Sequence, residues 1–337
     1  MNTIIIGAGR MGRRHIQSAL NCKLNISGIV DISDESLSLA KKEFDLSSSV
    51  LYKDIDVLIN DLIPDCAIIS TCADSHKDLT IKLSNSGVKY ILVEKPMATS
   101  ISDCLEMINV CKQNDTKISV NHQMRFLEQY SKPKKLLESE AYGGFKSMNV
   151  IAGNFGFSMN ALHYFEAFKF LSGEVPIEVT AWFSDEIVSN PRGEKFEDRA
   201  GSIKVVCKSG KRLYMDIGSD QGNGVCVTYY GRNGYIFIDE LKGDMRTYVR
   251  EKNYKDLPTT RYGMPSILED HKIKPVEVID SSAQVLSALI DGKNTVTGED
   301  GLLPIKILAA AYESAENNNA KISIENNNNI KRSFPWA

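Results

Sequence analysis

The sequence has no C-x-x-C pair. Its seven cysteines (Cys22, Cys66, Cys72, Cys104, Cys111, Cys207 and Cys226) are an odd number scattered along 337 residues. Both facts argue against a disulfide-stapled fold, and reduced thiols in the cytoplasm are the expectation. H-E-x-x-H and H-x-H are also missing, so no metal site is expected, and without G-x-S-x-G there is no nucleophile elbow. No apolar run approaches the roughly 18 to 20 residues that span a bilayer. Met1-Asn2-Thr3 carries no basic residue and the apolar run after it stops at Gly7, so a signal peptide is not expected. Neither sign of charge dominates: Lys and Arg number 40 against 43 Asp and Glu, for a net charge of −3. Without a basic field, nucleic acid and anionic membranes are not expected partners.

What is present is an ordinary globular composition, 42% hydrophobic and 25% charged, in a chain long enough for two domains. Up to residue 120, apolar β-branched runs (3–6, 26–30, a short one at 49–52, 66–70, 90–93, 117–120) alternate with helical stretches (11–20, 35–44, 55–61, 76–85, 101–114). That alternation predicts right-handed βαβ units and a parallel, doubly wound sheet. Pro96 cannot continue a ladder, so the fifth strand stops at Glu94-Lys95-Pro96. Beyond 120 the pattern changes. A helix is expected over 126–140, interrupted near Pro133, then a strand at 145–152 and a helix at 158–171. Closely spaced strands follow at 177–185, 201–208, 211–218, 225–231, 234–240 and 244–250, joined by glycine-containing turns, and helices return at 280–291 and 299–317. Such spacing predicts an antiparallel meander. The fold class is therefore α/β: a dinucleotide-binding domain over 1–122, then an α+β domain with an open, mainly antiparallel sheet over 123–337. The asparagine-rich stretches 316–320 and 325–330 read as a solvated tail, while Phe334-Pro335-Trp336 is aromatic enough to dock.

Gly7-Ala8-Gly9-Arg10-Met11-Gly12 fits G-x-G-x-x-G between an apolar strand and an amphipathic helix, the context that gives the motif meaning. Gly7 permits the tight turn, Gly9 the approach of a pyrophosphate and Gly12 close packing of helix on strand. Asp31 ends the second strand 19 residues after Gly12 (31 − 12 = 19), where a carboxylate accepts from both adenosine-ribose hydroxyls and repels a 2′-phosphate. NAD is therefore expected over NADP. Arg10, Arg13 and Arg14 are the counter-signal and read as helix surface and cofactor packing.

The ordered set Gly7 to Gly12 with His15, Ser70-Thr71 with Asp74-Ser75-His76, Glu94-Lys95-Pro96, Asn121-His122-Gln123-Met124-Arg125-Phe126, and Gly153 to Glu166 with His163, resembles the Gfo/Idh/MocA oxidoreductases. The resemblance implies a Rossmann domain joined to an open-sheet domain that forms homodimers or homotetramers. It also implies hydride transfer between a nicotinamide and the hydroxyl or keto carbon of a sugar, polyol or nucleotide-linked sugar. Carried over residue by residue, it makes Lys95 and His163 catalytic. Gly7, Gly9, Arg10, Met11, Gly12, Asp31, Thr71, His76 and Glu94 become cofactor-binding, and His122, Arg125 and Asn160 substrate-binding. Lysine and imidazole suit that chemistry, because removing a hydride from an alcohol carbon requires a base and a donor to the developing oxyanion.

One position departs from the pattern. Four residues before His163 the family usually has Asp, and here stands Met159; Asn160 and Glu166 flank His163 at helical spacing instead. That leaves an NAD-binding sensor or scaffold open as a further reading, and the resemblance itself leaves a second, an NAD-assisted glycoside hydrolase. Arg261 and Tyr262, in a long irregular segment, are candidates for substrate specificity.

Overall fold

The computed structural model describes residues 1–153, 155–188, 190, 193–259, 264–326 and 329–336. Arg261 and Tyr262 lie outside them. The chain divides into two compact units, one of Met1–Gln123, Glu277–Ile305 and Ile330–Ala337, the other of Met124–Val276 and Lys306–Asn329.

The first unit holds β1 (Asn2–Ile6), β2 (Asn25–Val30), β3 (Leu51–Tyr52), β4 (Cys66–Ile69), β5 (Tyr90–Val93) and β6 (Lys117–Val120), paired in parallel in the order β3-β2-β1-β4-β5-β6. Its strands read as unbroken apolar runs because both faces are covered, and β4 is buried throughout. The crossovers are α1 (Arg10–Asn21), α2 (Asp34–Phe44), α3 (Ile55–Asp61), α4 (Ala73–Asn85) and α5 (Ile101–Gln113). The strand order reverses between β1 and β4, the place where open α/β sheets bind ligands. The helices differ at that point. Ser33, Asp54 and Ser100 cap α2, α3 and α5 through side-chain oxygens, whereas α1 and α4, which follow β1 and β4, have no side-chain cap.

The structure differs from the expected domain division, which gave everything after residue 122 to the second domain. Helix α8 (Val278–Asp291) packs on α1, β5 and β6. Ser18 Oγ donates to the Ile279 carbonyl at 2.8 Å, and Val120 N–H and Ser119 Oγ donate to the Val296 carbonyl at 3.2 and 2.6 Å. The apolar side of α8, with Val285, Leu286 and Leu289 buried, packs against β5 and β6 beside α1, and Thr297 bridges to Ser119 on the edge of β6. The aromatic tail also docks here. Phe334 N–H donates to the Thr99 carbonyl at 2.9 Å, and Phe334 stacks on the fully buried Trp336 at 4.3 Å.

The second unit is built on nine strands: β7 (Phe145–Gly153), β8 (Pro176–Ile187), β9 (Arg199–Cys207), β10 (Arg212–Gly218), β11 (Cys226–Gly231), β12 (Gly234–Asp239), β13 (Asp244–Arg250), β14 (Ser266–Lys272) and β15 (Ile322–Ser323). They lie in the order β14-β13-β12-β11-β7-β10-β9-β8-β15. A meander would have kept β10 beside β11. Instead β7 inserts between them, antiparallel to β11 and parallel to β10. The sheet is mixed, with that one parallel pair. Its helices are α6 (Glu128–Leu137), α7 (Leu162–Ser172) and the latter part of α9 (Gly298–Glu316), whose first residues belong to the first unit.

Pro133 was expected to interrupt α6, yet the helix runs through it. Proline removes the N–H that would bond the Gln129 carbonyl. Tyr229 Oη takes its place, donating to that carbonyl at 3.2 Å.

Candidate cofactor and active site

The glycine loop is held from behind. Gly7 N–H donates to the Val30 carbonyl at 2.8 Å, and Ser70 Oγ donates to the carbonyls of Ile6 and Gly7 at 3.0 and 2.9 Å. Gly7 has φ +91°. A Cβ on Gly12 would lie 1.8 Å from the Gly7 carbonyl oxygen, so the protein's own packing demands both glycines. Gly9 is different: a Cβ there would meet nothing within 4 Å. No atom of the described residues requires that glycine, but a ligand lying against the backbone would. Gly9 also begins α1, whose first turn contains no acidic side chain. Open space, uncapped N–H groups and a favourable dipole together suit a pyrophosphate.

Asp31 reaches the same loop. Its Oδ2 accepts from Ala8 N–H at 2.6 Å and its Oδ1 from Ser33 N–H at 2.8 Å. Each oxygen keeps a second lone pair, the arrangement a ribose diol needs. Arg13 is engaged with Glu43 at 2.8 Å and the Ala8 carbonyl at 3.3 Å, and Arg14 with Met11 Sδ at 3.5 Å, while Arg10 is exposed.

Lys95 and Pro96 follow β5, at the carboxyl edge of the sheet, and Lys95 is half-buried. Glu94, before it, is buried. Its Oε1 takes His15 Nε2 at 2.7 Å and Asn121 Nδ2 at 2.8 Å, and its Oε2 takes the Lys95 N–H at 3.2 Å. Burial alone would raise this carboxyl. His15, Lys95 and Asn121 outweigh it and hold Glu94 well below the usual carboxylate range. Glu94 thus faces protein donors within the first unit.

His76 is buried as well. Nδ1 faces the carbonyls of Pro96 and Met97 at 3.0 and 3.3 Å, and Nε2 that of Thr71 at 3.2 Å. Burial pushes its pKa down, against the pull of those carbonyls and Glu94. The ring ties the loop after Lys95 to the turn after β4. Thr71 Oγ1 meets Ser75 Oγ at 2.6 Å. His122 is buried just past β6, its N–H donating to the Val120 carbonyl at 2.7 Å.

The remaining predicted residues belong to the second unit. His163 is half-buried on α7, which continues from a π-helical turn over Phe157–Ala161 where Ala161 N–H bonds the Gly156 carbonyl at 3.2 Å. Such turns favour functional sites. Asp198, which sequence reasoning missed, receives the N–H groups of Ser158 and Met159 at 2.7 and 3.0 Å. A Cβ on Gly156 would lie 2.0 Å from its Oδ2, so glycine there makes room for this carboxylate. Asn160 is half-buried on the same turn. Arg125 is paired with the fully buried Glu166 through Nε, at 3.1 Å, and Nη2, and lies 5.7 Å from the Phe170 ring. A second buried carboxylate, Glu240, accepts from Tyr130 Oη and, at 2.7 Å, from Tyr164 Oη, and burial pushes it up to about 7. No local motif marks either Asp198 or Glu240, because their partners are 39 to 110 residues away.

Taken together, the sheet order, the glycine loop and Asp31 define a dinucleotide-binding Rossmann protein. Residues 1–122 match the Gfo/Idh/MocA family model, described as an oxidoreductase family with an NAD-binding Rossmann fold. An NAD-binding Rossmann fold is what that match supports. A myo-inositol 2-dehydrogenase of Thermotoga maritima is 23% identical over 346 residues, 93% of this chain and 95% of that protein. A 2,7-anhydro-N-acetylneuraminate hydratase of Escherichia coli is 24% identical over 216 residues, 58% of this chain; the match spans only 55% of the hydratase. Among solved structures, an Agrobacterium radiobacter oxidoreductase in complex with NAD+, L-tartaric acid and magnesium superposes with a TM-score of 0.79, at 20% identity over 96% of this chain and 98% of that one. That likeness shows that the fold extends over both units. Among the described residues no helix is long and apolar enough to cross a membrane.

Proposed function

We propose that the chain is an NAD-dependent dehydrogenase or reductase acting on a hydroxyl or keto carbon of a sugar, polyol or nucleotide-linked sugar. The observation that carries the reading is Lys95, half-buried at the carboxyl edge of a sheet whose switch point bears the glycine loop and Asp31. The relative named myo-inositol 2-dehydrogenase, matched over nearly its whole length, supports a polyol. When bound, NAD supplies the hydride acceptor. The rest falls to the chain. The α1 N-terminus and Gly9 hold the pyrophosphate, Asp31 accepts the ribose hydroxyls, and Lys95 Nζ holds or passes the proton of the substrate hydroxyl. His163 is the proposed acid/base group of the second unit, with Asn160, His122 and Arg125 as polar contacts for hydroxyl groups. His76 and Glu94 shape the cofactor crevice. The protein is further proposed to be cytoplasmic and homo-oligomeric.

The test is a titration with NADH and NADPH followed by nicotinamide fluorescence, then a panel of polyols and sugars beginning with myo-inositol. NADH should bind at least about tenfold more tightly than NADPH, because the Asp31 charge opposes a 2′-phosphate. Lys95→Met should cut turnover by about 100-fold or more while NADH affinity barely changes. Equal binding of NADPH removes the Asp31 role, and full activity of Lys95→Met removes the lysine. A second reading, an NAD-assisted glycoside hydrolase, has support in the relative named a hydratase rather than a dehydrogenase, while Met159, which cannot ionise, favours the sensor or scaffold reading. In the hydrolase reading NAD, when bound, would lend its redox chemistry only transiently, and net product would form without NADH accumulating.

A further inference from the structure

Four distant stretches of the first unit converge behind Lys95. His15 comes from α1, Glu94 from the end of β5, Asn121 from the end of β6 and Ser282 from α8. His15 Nε2 lies 2.7 Å from Glu94 Oε1, and Asn121 Nδ2 lies 2.8 Å from the same oxygen and 3.2 Å from Ser282 Oγ. His15, Glu94 and Asn121 are each no more than 3% exposed. A carboxylate only accepts hydrogen bonds, so His15 must carry its proton on Nε2. The other nitrogen, Nδ1, is buried and has no protein partner among the described residues. The ring's one polar engagement there is with Glu94. Glu94 in turn receives the Lys95 N–H, so the carboxylate's position sets the orientation of the peptide from which the Lys95 side chain departs.

We propose that His15 is a positioning residue for hydride transfer: it holds the Glu94 carboxylate, and through it the backbone and charge environment of Lys95. This rests on the reading of Lys95 given above. The titratable groups around Glu94 are His15 from α1, Lys95 in its own loop and His76 from α4, while Asn121 and Ser282 are neutral. Removing the His15 donor leaves a buried carboxylate short of a partner, free to turn toward another, and the Lys95 peptide moves with it. A displacement near 1 Å of a reacting group can cost about 100-fold in rate.

The test uses the full chain with His15→Leu, which fills the space without a donor, His15→Gln, which restores one, and Glu94→Gln. The first readout is kcat and KM on the best substrate of the panel. The second needs no substrate: reductive methylation of Lys95 with formaldehyde and a borane, quantified by mass spectrometry across pH. His15→Leu should lower kcat about 10- to 100-fold while its KM and NADH affinity stay within about threefold, and Glu94→Gln should lower kcat at least as much. Glu94→Gln should move the midpoint of Lys95 labelling to lower pH, because the neutral amine reacts and loss of the anion favours it, and His15→Leu should displace that midpoint from its wild-type value because the carboxylate it frees changes position. His15→Gln should recover most of both effects. If His15→Leu and His15→Gln behave alike, or if labelling and kcat are unchanged in all three variants, the proposal is overturned. If His15→Leu does not fold, Glu94→Gln decides by the same two readouts. A wild type inactive on every substrate tried sinks the hydride-transfer reading, while the labelling midpoint still decides the role of His15.

Discussion

Gly9 and Gly12 are the same residue type for opposite reasons, and substitution separates them. Gly12→Ala drives a methyl group into the Gly7 carbonyl, a clash with rigid backbone. It should cost more than about 3 kcal/mol of stability, read as a large fall in Tm. Gly9→Ala meets no protein atom. It should cost only about 1 kcal/mol, for a poorer helix start, yet weaken NADH tenfold or more, about 1.4 kcal/mol. If NADH binds Gly9→Ala unchanged, the loop does not cradle a pyrophosphate. Glu94 makes a different prediction, in acid. Its folded pKa is lowered, so its network contributes stability in full above the ordinary carboxylate range and loses it as pH falls toward the folded value. Glu94→Gln should therefore flatten the acid limb of an unfolding curve taken against pH. The glycines and Asp31 could be read in the sequence because their spacing is local. The convergence of His15, Glu94, Asn121 and Ser282 could not, because it exists only once the βα crossovers from α1 to β6 and a returning helix are folded.

The strands and helices up to β6 were legible to within about three residues, since buried parallel strands are continuous apolar runs. Those of the second unit were less so where burial gives no signal. Strand β14 is exposed along nearly its whole length at the sheet margin, so its residues show no apolar alternation and read as loop. The π-helical turn before α7 and its partner Asp198 have no sequence signature either. Glu240 is the element-scale test. It joins α6 to α7 through Tyr130 and Tyr164, and its pKa is pushed up to about 7 from 4.5. A carboxyl that binds its proton more tightly when folded is most favourable to folding below its unfolded pKa. Stability is therefore lost as pH rises from about 4.5 toward 7, by on the order of 3 kcal/mol at most. Glu240→Gln keeps an acceptor between the two tyrosines and removes the charge. Urea midpoints at pH 5 and pH 8 should converge in the variant and differ in the wild type. An equal difference in both would mean that Glu240 does not titrate there.

At the scale of the whole molecule, the order of a Rossmann domain before an open-sheet domain was legible. The return of α8 to the first sheet was not, because an amphipathic helix shows which face is apolar but not which sheet it will cover. The second sheet leaves a similar question on its outer side. Helices α6 and α7 pack on one face, against β11 and β7. On the other, strand registers align Trp182, Ser202, Asp216 and Ile151 in one row and Thr180, Lys204, Tyr214 and Asn149 in the next. Trp182, Tyr214 and Ile151 are 52%, 40% and 45% exposed, and the two rows line a concavity of about 560 Å³. Large apolar side chains at a sheet face, rimmed by polar ones, mark an association surface. A second copy of the chain is the expected cover. The chain has only two tryptophans, and Trp336 is fully buried, so Trp182 reports on this face once Trp336 is replaced by Phe. With that replacement, dilution from about 10 µM should red-shift the emission as copies separate, in step with a fall in mass by light scattering. Trp182→Glu with Tyr214→Lys, in the otherwise unaltered chain, should be monomeric throughout and keep NADH affinity, because the glycine loop belongs to the other unit. A wild type that scatters as a monomer at that concentration would mean that this face serves something other than self-association.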